Sequence, residues 1–265
     1  MTAKGLEWVK RNAKYDVLLV LSPIMSLILW EILVRVGLMD HRFFPAPTTV
    51  IGTLFRIIVN GQLLDHVSIS LYRMAIGFLL GSFVGIVLGL LMGWLKIFYA
   101  IFDPLISAVY PIPKTALLPV IFLIFGIGEL SKIVIVAIAA FFMAVINTTA
   151  GVLSIDPVII DAARNFGARR GKLFRYVFMP GALPSIFTAL RLALGASLLV
   201  IVAAEFVASN EGIGYLIWIS WQTLATEKMY AGLIVIAILG ILSSYGLKKL
   251  RNYLIPWSVD VRERM

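Results

Sequence analysis

The sequence predicts an all-α, polytopic membrane protein with six transmembrane helices, and three observations carry that reading. Of its 265 residues, 61% are hydrophobic, against about 45–50% in a soluble domain. Only 14% are charged, where a soluble domain has about 25%, so the polar surface of a globule this size cannot be supplied. The apolar residues also gather in long runs, and a bilayer core about 30 Å thick takes roughly 20 helical residues to cross. The same composition excludes disorder, which needs a polar, highly charged chain. The absence of cysteine excludes disulfide frameworks, thiolate zinc sites, iron–sulfur clusters and cysteine nucleophiles.

The six spans fall near residues 17–36, 69–95, 104–125, 132–152, 184–208 and 229–247. In the first, the chain is apolar from Val17 to Trp30 and, after Glu31, on to Val34. Basic residues precede it as in a signal peptide, but the run exceeds a 7–15-residue apolar region and no Ala-x-Ala site follows. The second carries Gly77, Gly81, Gly85, Gly89 and Gly93, one glycine every fourth residue. Such a ridge lets another backbone approach closely, either inside the subunit or at a subunit or moving interface. The third holds Pro104, Pro111, Pro113 and Pro119 around Lys114, so a straight helix is not expected there. Broken backbone at membrane depth is tolerated where protein buries it or where it lines a water-filled cavity. The fourth span runs uncharged from Lys132 to Asp156, the fifth is interrupted once by Arg191, and the sixth lies between Lys228 and Lys248.

Net charge is +9, and its placement argues for topology rather than a nucleic-acid surface. Lys4, Lys10, Arg11 and Lys14 precede span one, and Lys96 follows span two. Arg164, Arg169, Arg170, Lys172 and Arg175 separate spans four and five, while Lys248, Lys249, Arg251, Arg262 and Arg264 follow span six. All fall on one side if the spans alternate; the opposite loops hold Arg35, Arg42, Arg56 and Lys228, with Lys132 at the edge. The positive-inside rule therefore puts both termini in the cytoplasm. His41 and His66 lack metal-ligand spacing and are expected to be solvated near the outer face.

The longest cytoplasmic loop, about 153–182, predicts a short helix. Asp156-Pro157 sets an N-cap before a proline at the first helical position, and Gly167 supplies a stop. Ile159, Phe166 and Phe174 offer apolar knobs, and a second basic helix is expected from Ala168 to Phe178, ahead of a Met179–Pro184 connection. An amphipathic element of this kind suits a partner's groove or rests on the membrane surface.

Asp161-Ala162-Ala163, three residues, Gly167, nine residues, then Val177-Phe178-Met179-Pro180 resembles the EAA loop of binding-protein-dependent ABC importer permeases. Asp stands where that pattern has Glu, Val where it has Ile, and Met where it has Leu. Pro111 to Pro119, Phe125 to Lys132, Leu183 to Arg191, Ala204-Glu205, Gly212 to Ile217 and Pro256-Trp257 are similar to the taurine, aliphatic sulfonate and nitrate permease family, over roughly residues 45–260. That family also includes permeases for bicarbonate, thiamine precursors, riboflavin and aromatic acids. The resemblance implies a type I ABC importer permease fold forming one transmembrane domain over 1–265, in the cell membrane. It implies two permease chains, two cytoplasmic ATPase chains that bind ATP and magnesium, and an external solute-binding protein. Asp161, Ala162, Ala163, Phe166, Gly167 and Pro180 would form the ATPase-coupling loop. The chain has no phosphate-cradling Gly-x-x-x-x-Gly-Lys-Ser/Thr, so it is not expected to hydrolyse ATP or to hold a cofactor or metal. A self-sufficient secondary transporter or a membrane enzyme would need inverted repeats or clustered catalytic residues, and neither is seen.

Four of the charges within the spans are candidates for a pathway or gate. Arg73 and Glu205 sit at matched depth near the outer boundary with opposite sign, and intramembrane ionisable residues usually pair or face a cavity. They are expected to form an outer gate or brace, unless each snorkels to the headgroups. Lys114 and Arg191 have no evident acidic neighbour at their depth. They face backbone carbonyls, lipid phosphate or the interface, or else a pathway for a passing anion such as a sulfonate, nitrate or carboxylate.

Overall fold

The computed structural model describes residues 13–256, and its regular structure is all helix, with no strand among the described residues. Lys4, Lys10, Arg11, Arg262, Arg264 and Trp257 lie outside those residues. The elements are α1 (Ala13–Arg35), α2 (Pro47–Val59), α3 (Gln62–Trp94), α4 (Lys96–Val109) and α5 (Leu118–Phe125), the last preceded by a 3₁₀ turn at Lys114–Leu117. There follow α6 (Glu129–Leu153), α7 (Pro157–Asn165), α8 (Arg170–Ala208), α9 (Ile213–Gln222) and α10 (Thr226–Leu254).

Among the described residues α3, α6, α8 and α10 are each long and apolar enough to cross a membrane, and α4 with the Lys114–Phe125 segment makes a fifth, broken span. The two halves of that span are bent by 89°. Pro111 and Pro113 stand at the bend, where each removes a backbone donor and blocks helix continuation. The helix begins at Lys96, earlier than the expected 104. At the place of the first expected span stands α1, 23 residues long.

The core is a sandwich of α3, α6 and α8. The glycine ridge of α3 packs against α6 of the same chain, which makes it an internal packing face. A Cβ on Gly81 would lie 2.0 Å from the Ala137 carbonyl oxygen, and one on Gly93 would lie 2.4 Å from Val152 Cβ. Backbones this close gain dispersion contacts along their whole length. Thr149 Oγ1 donates across the seam to the Gly89 carbonyl at 3.3 Å. The segment Leu118–Phe125 lies across this core through Leu118 and Ile121, which meet Met74, Ile135 and Ile201.

A second cluster joins α2, the start of α3, α9 and α10 through Val50, Ile57, Leu63, Ile213, Leu216, Ile217, Ala231 and Val235. Neither α2 nor α9 is long enough to cross a bilayer, and neither appears among the expected spans. In α2, Val50, Leu54 and Ile57 recur at intervals of three and four, and Pro47 occupies its first position, so the amphipathic signal was present.

Candidate functional site

The charges at one end of the α3–α6–α8 sandwich converge on one network. Arg73, 2% exposed, extends Nη1 to Glu205 Oε1 at 2.8 Å. Its other two nitrogens form a bidentate pair with Glu129, Nε to Oε2 and Nη2 to Oε1, both at 2.6 Å. Lys132 Nζ lies 3.3 Å from Glu129 Oε1. Arg73 Nη1 also donates to the Glu211 carbonyl at 2.9 Å and to Ser209 Oγ at 3.2 Å. The guanidinium thus spans three helices and the α8–α9 turn, and a planar fork suits that work better than an ammonium would.

Glu205 has no solvent exposure, so its charge must be met from within. Ser70 Oγ donates to its carboxylate at 2.8–2.9 Å, and the Gly214 N–H donates at 2.9 Å. Ser70 Oγ in turn accepts the Ile213 N–H at 2.8 Å. These are first-turn amides of α9, so Glu205 also satisfies the positive end of that helix. Gly212 has φ +113°, and a Cβ there would lie 2.3 Å from the Glu205 carboxyl carbon; only glycine lets the turn close over the buried acid. His66 is half-buried rather than solvated, because its Nδ1 accepts the Gly212 N–H at 3.1 Å. His41 is exposed.

The network opens on one side into a cavity of about 570 Å³ lined by Arg73, Gly128, Glu129, Lys132, Ser209 and Glu211. Glu129 presents its carboxylate there, 48% exposed, while Glu205 stays sealed. Glu129 was not singled out from the sequence. Its signals were its place at a helix start and its spacing of three from Lys132.

Lys114 does not reach an acid. Its ammonium donates to the carbonyls of Tyr110 at 2.8 Å, Ile112 at 2.9 Å and Val109 at 3.4 Å. It also lies 4.2 Å from the Phe142 ring centroid. It caps the negative end of α4 at the break, and the cation–π contact adds to that hold. Arg191 is exposed midway along α8 and has no hydrogen-bond or ion-pair partner among the described residues.

At the opposite end stands α7. Asp156 accepts the Val158 N–H at 2.8 Å as the N-cap, and Gly167 at φ +81° ends the helix. Asp161 pairs with Arg164 at 3.1 Å on the exposed side. Ala162 is exposed and Ala163 half-buried. Val158, Ile159 and Phe166 point away from the protein, Phe166 with 94% exposure. Phe174 does not join them: its ring packs 4.9 Å from that of Trp94, against the membrane helices.

The expected second helix with a connection at Met179–Pro184 is replaced by continuous helix from Arg170 to Ala208. A π-turn at Phe174–Phe178 makes this possible. Pro180 has no N–H and its ring would crowd the Tyr176 carbonyl in a regular helix; the widened turn takes up both defects.

A family model for the binding-protein-dependent transport system inner membrane component matches residues 81–256. The chain belongs to that family. It is a multi-pass inner-membrane permease component. Its relatives include the aliphatic sulfonates transport permease named SsuC in Bacillus subtilis, 34% identical over 237 residues, with 89% of this chain and 86% of that protein covered. The taurine transport system permease TauC of Escherichia coli is 33% identical over 265 residues, covering 98% and 96%. Among solved structures, the inward-facing MetNI methionine ABC transporter shares the fold at TM-score 0.56 and 20% identity, over 69% of this chain and 93% of that one.

Proposed function

We propose that this permease forms, as a single transmembrane domain paired with a second copy, the path by which a small organic sulfonate or related anion enters the cell. An external solute-binding protein delivers the anion, and two cytoplasmic ATPase chains dock on α7 and perform the ATP hydrolysis. The chain then crosses the membrane six times, with α1 as the first span and both termini cytoplasmic. The observation that carries this reading is α7 itself, a doubly capped short helix that turns Val158, Ile159 and Phe166 outward between two spans. A face of that chemistry fits a partner's groove.

The mechanical consequence follows from the π-turn. Because Arg170–Ala208 is one unbroken helix, about 58 Å long at 1.5 Å per residue, a displacement at α7 reaches Glu205 without passing a hinge at Pro180. The α7 end and the Arg73–Glu205 end are then two ends of one lever. Coupling further requires that the ATPase bind α7 differently in its two states. The anion preference is supported by Arg191, an exposed cation without a partner among the described residues, and by relatives named for sulfonates and taurine.

The test is copurification. Tagged permease should retain an ATPase chain, and Ala163→Trp should abolish its retention or its coupled uptake while leaving membrane abundance unchanged. Uptake and ATPase retention both unaffected would remove α7 from the coupling role. A neutral or cationic ligand in the cognate binding protein would sink the anion assignment.

A further inference from the structure

The cations expected on the outer side are few, and three of them meet. Arg42, from the loop after α1, Arg56, on α2, and Lys228, on α10, line one cavity of about 530 Å³ together with His41, Thr53 and Glu227. We propose that this cavity holds the phosphate headgroup of an anionic phospholipid in the outer leaflet.

The charge balance is specific. Arg42 is already matched, since its Nη2 lies 2.8 Å from Asp40 Oδ2 and its backbone N–H donates to Asp40 Oδ1 at 2.9 Å. Those bonds hold the Asp40 carboxyl down to about 2, so it stays ionised at any physiological pH. Glu227 accepts the Thr53 hydroxyl at 3.0 Å. Arg56 and Lys228 are exposed and have no hydrogen-bond or ion-pair partner among the described residues. Among the arginines, the lysine and the two carboxylates, one positive charge is left over, the complement of a monoanionic phosphodiester.

The depth is that of a headgroup. Lys228 lies two residues from Tyr230, whose ring sits 5.6 Å from that of Trp30 near the outer end of α1. Glu31, beside Trp30, accepts the backbone N–H of Thr48 at 3.0 Å and its hydroxyl at 2.8 Å, tying α2 to the same level. Aromatic residues of this kind mark the membrane–water boundary. The cavity rim is apolar as well as basic: Phe43 and Leu224 line it, and Ile51 and Phe55 lie exposed on α2 beside Arg56. A free anion has no use for those side chains, whereas the glycerol and acyl chains beneath a phosphate do.

The experiment uses the purified full chain in detergent, titrated with phosphatidylglycerol, phosphatidylcholine or inorganic phosphate. Bound lipid is counted by native mass spectrometry, and Tm is followed in parallel. Phosphatidylglycerol should raise Tm more than phosphatidylcholine does, and inorganic phosphate should have no effect. Arg56→Gln with Lys228→Gln should remove at least half of that preference. Arg56→Lys should keep most of it, and so should Lys248→Gln with Lys249→Gln at the far end of α10. Equal stabilisation by both lipids, or an undiminished preference in the Arg56/Lys228 double variant, overturns the proposal. Saturable stabilisation by phosphate alone would make this a soluble-anion site and overturn it equally.

Discussion

Arg73 and Glu205 are 132 positions apart in the chain, yet their side chains meet at 2.8 Å with almost no solvent on either. The pair is buried and its geometry leaves no polar atom of the carboxylate idle. Such a pair gives little net stability over apolar residues of the same shape, but breaking it is costly because the other charge is left behind. Glu205→Ala should therefore cost about 3–5 kcal/mol, read as a loss of folded protein after extraction or a large fall in Tm. Glu129→Gln should cost less, since half of that carboxylate faces water and Glu205 still meets Arg73. Equal losses in the two variants would contradict this ranking.

The third partner changes what a charge swap can do. A simple pair invites the double reversal Arg73→Glu with Glu205→Arg, which should restore function lost in either single reversal. Here a glutamate at 73 would face Glu129, whose two oxygens now receive Arg73 Nε and Nη2. The double reversal should consequently stay impaired, and adding Glu129→Gln should recover part of the loss. Uptake at equal membrane abundance separates these cases. Full rescue by the double reversal would mean that Glu129 contributes nothing.

Depth and sign made Arg73 and Glu205 legible, because a charge inside a hydrocarbon layer needs an explanation from sequence alone. The cap and stop of α7 were legible for a similar reason: Asp156-Pro157 and Gly167 act through their own backbone. What was not legible depends on tertiary geometry. Lys114 finds its carbonyls only because the chain turns by 89° at Tyr110–Pro113, and periodicity does not encode that turn. Pro180 reads as a break, yet the π-turn before it keeps the helix whole. Phe174 carries the same apolar signal as Phe166, and only the position of Trp94 decides that one is packed and the other bare.

The glycines divide into two classes with opposite expected responses. Gly81→Ala would set a methyl 2.0 Å from the Ala137 carbonyl oxygen, so α3 and α6 must separate and the folded permease should be lost. Gly195, in α8, has open space around its missing Cβ. There Ala should be tolerated and should stabilise by about 0.5–1 kcal/mol through helix propensity. Thermal unfolding in detergent reads both. A tolerated Gly81→Ala would show that the ridge is not closely packed.

Lys114 and Arg191 are expected to separate in a transport assay. Lys114→Gln removes an ammonium from three carbonyls and should lower Tm, with uptake falling in step with folded protein. Arg191→Gln removes no contact found among the described residues, so Tm should hold. If Arg191 faces the anion's path, the reconstituted complex with its binding protein should lose uptake while basal ATP hydrolysis persists. Unchanged uptake in Arg191→Gln would assign that side chain to lipid phosphate or water.

The last expectation concerns the lever. Phe166 is almost fully exposed among the described residues, so Phe166→Ala should leave stability within about 0.5 kcal/mol of wild type, as surface substitutions usually do. Gly167→Pro should differ, because proline fixes φ near −65° where the chain holds +81°. That strain falls on the α7 terminus, outside the membrane core, so insertion should proceed. Both variants should accumulate normally in the membrane and lose uptake together with substrate-stimulated ATP hydrolysis, Phe166→Ala by removing the knob and Gly167→Pro by misdirecting α7. Loss of membrane abundance in Phe166→Ala would mean that its ring is a folding contact, and wild-type uptake in both would detach α7 from coupling.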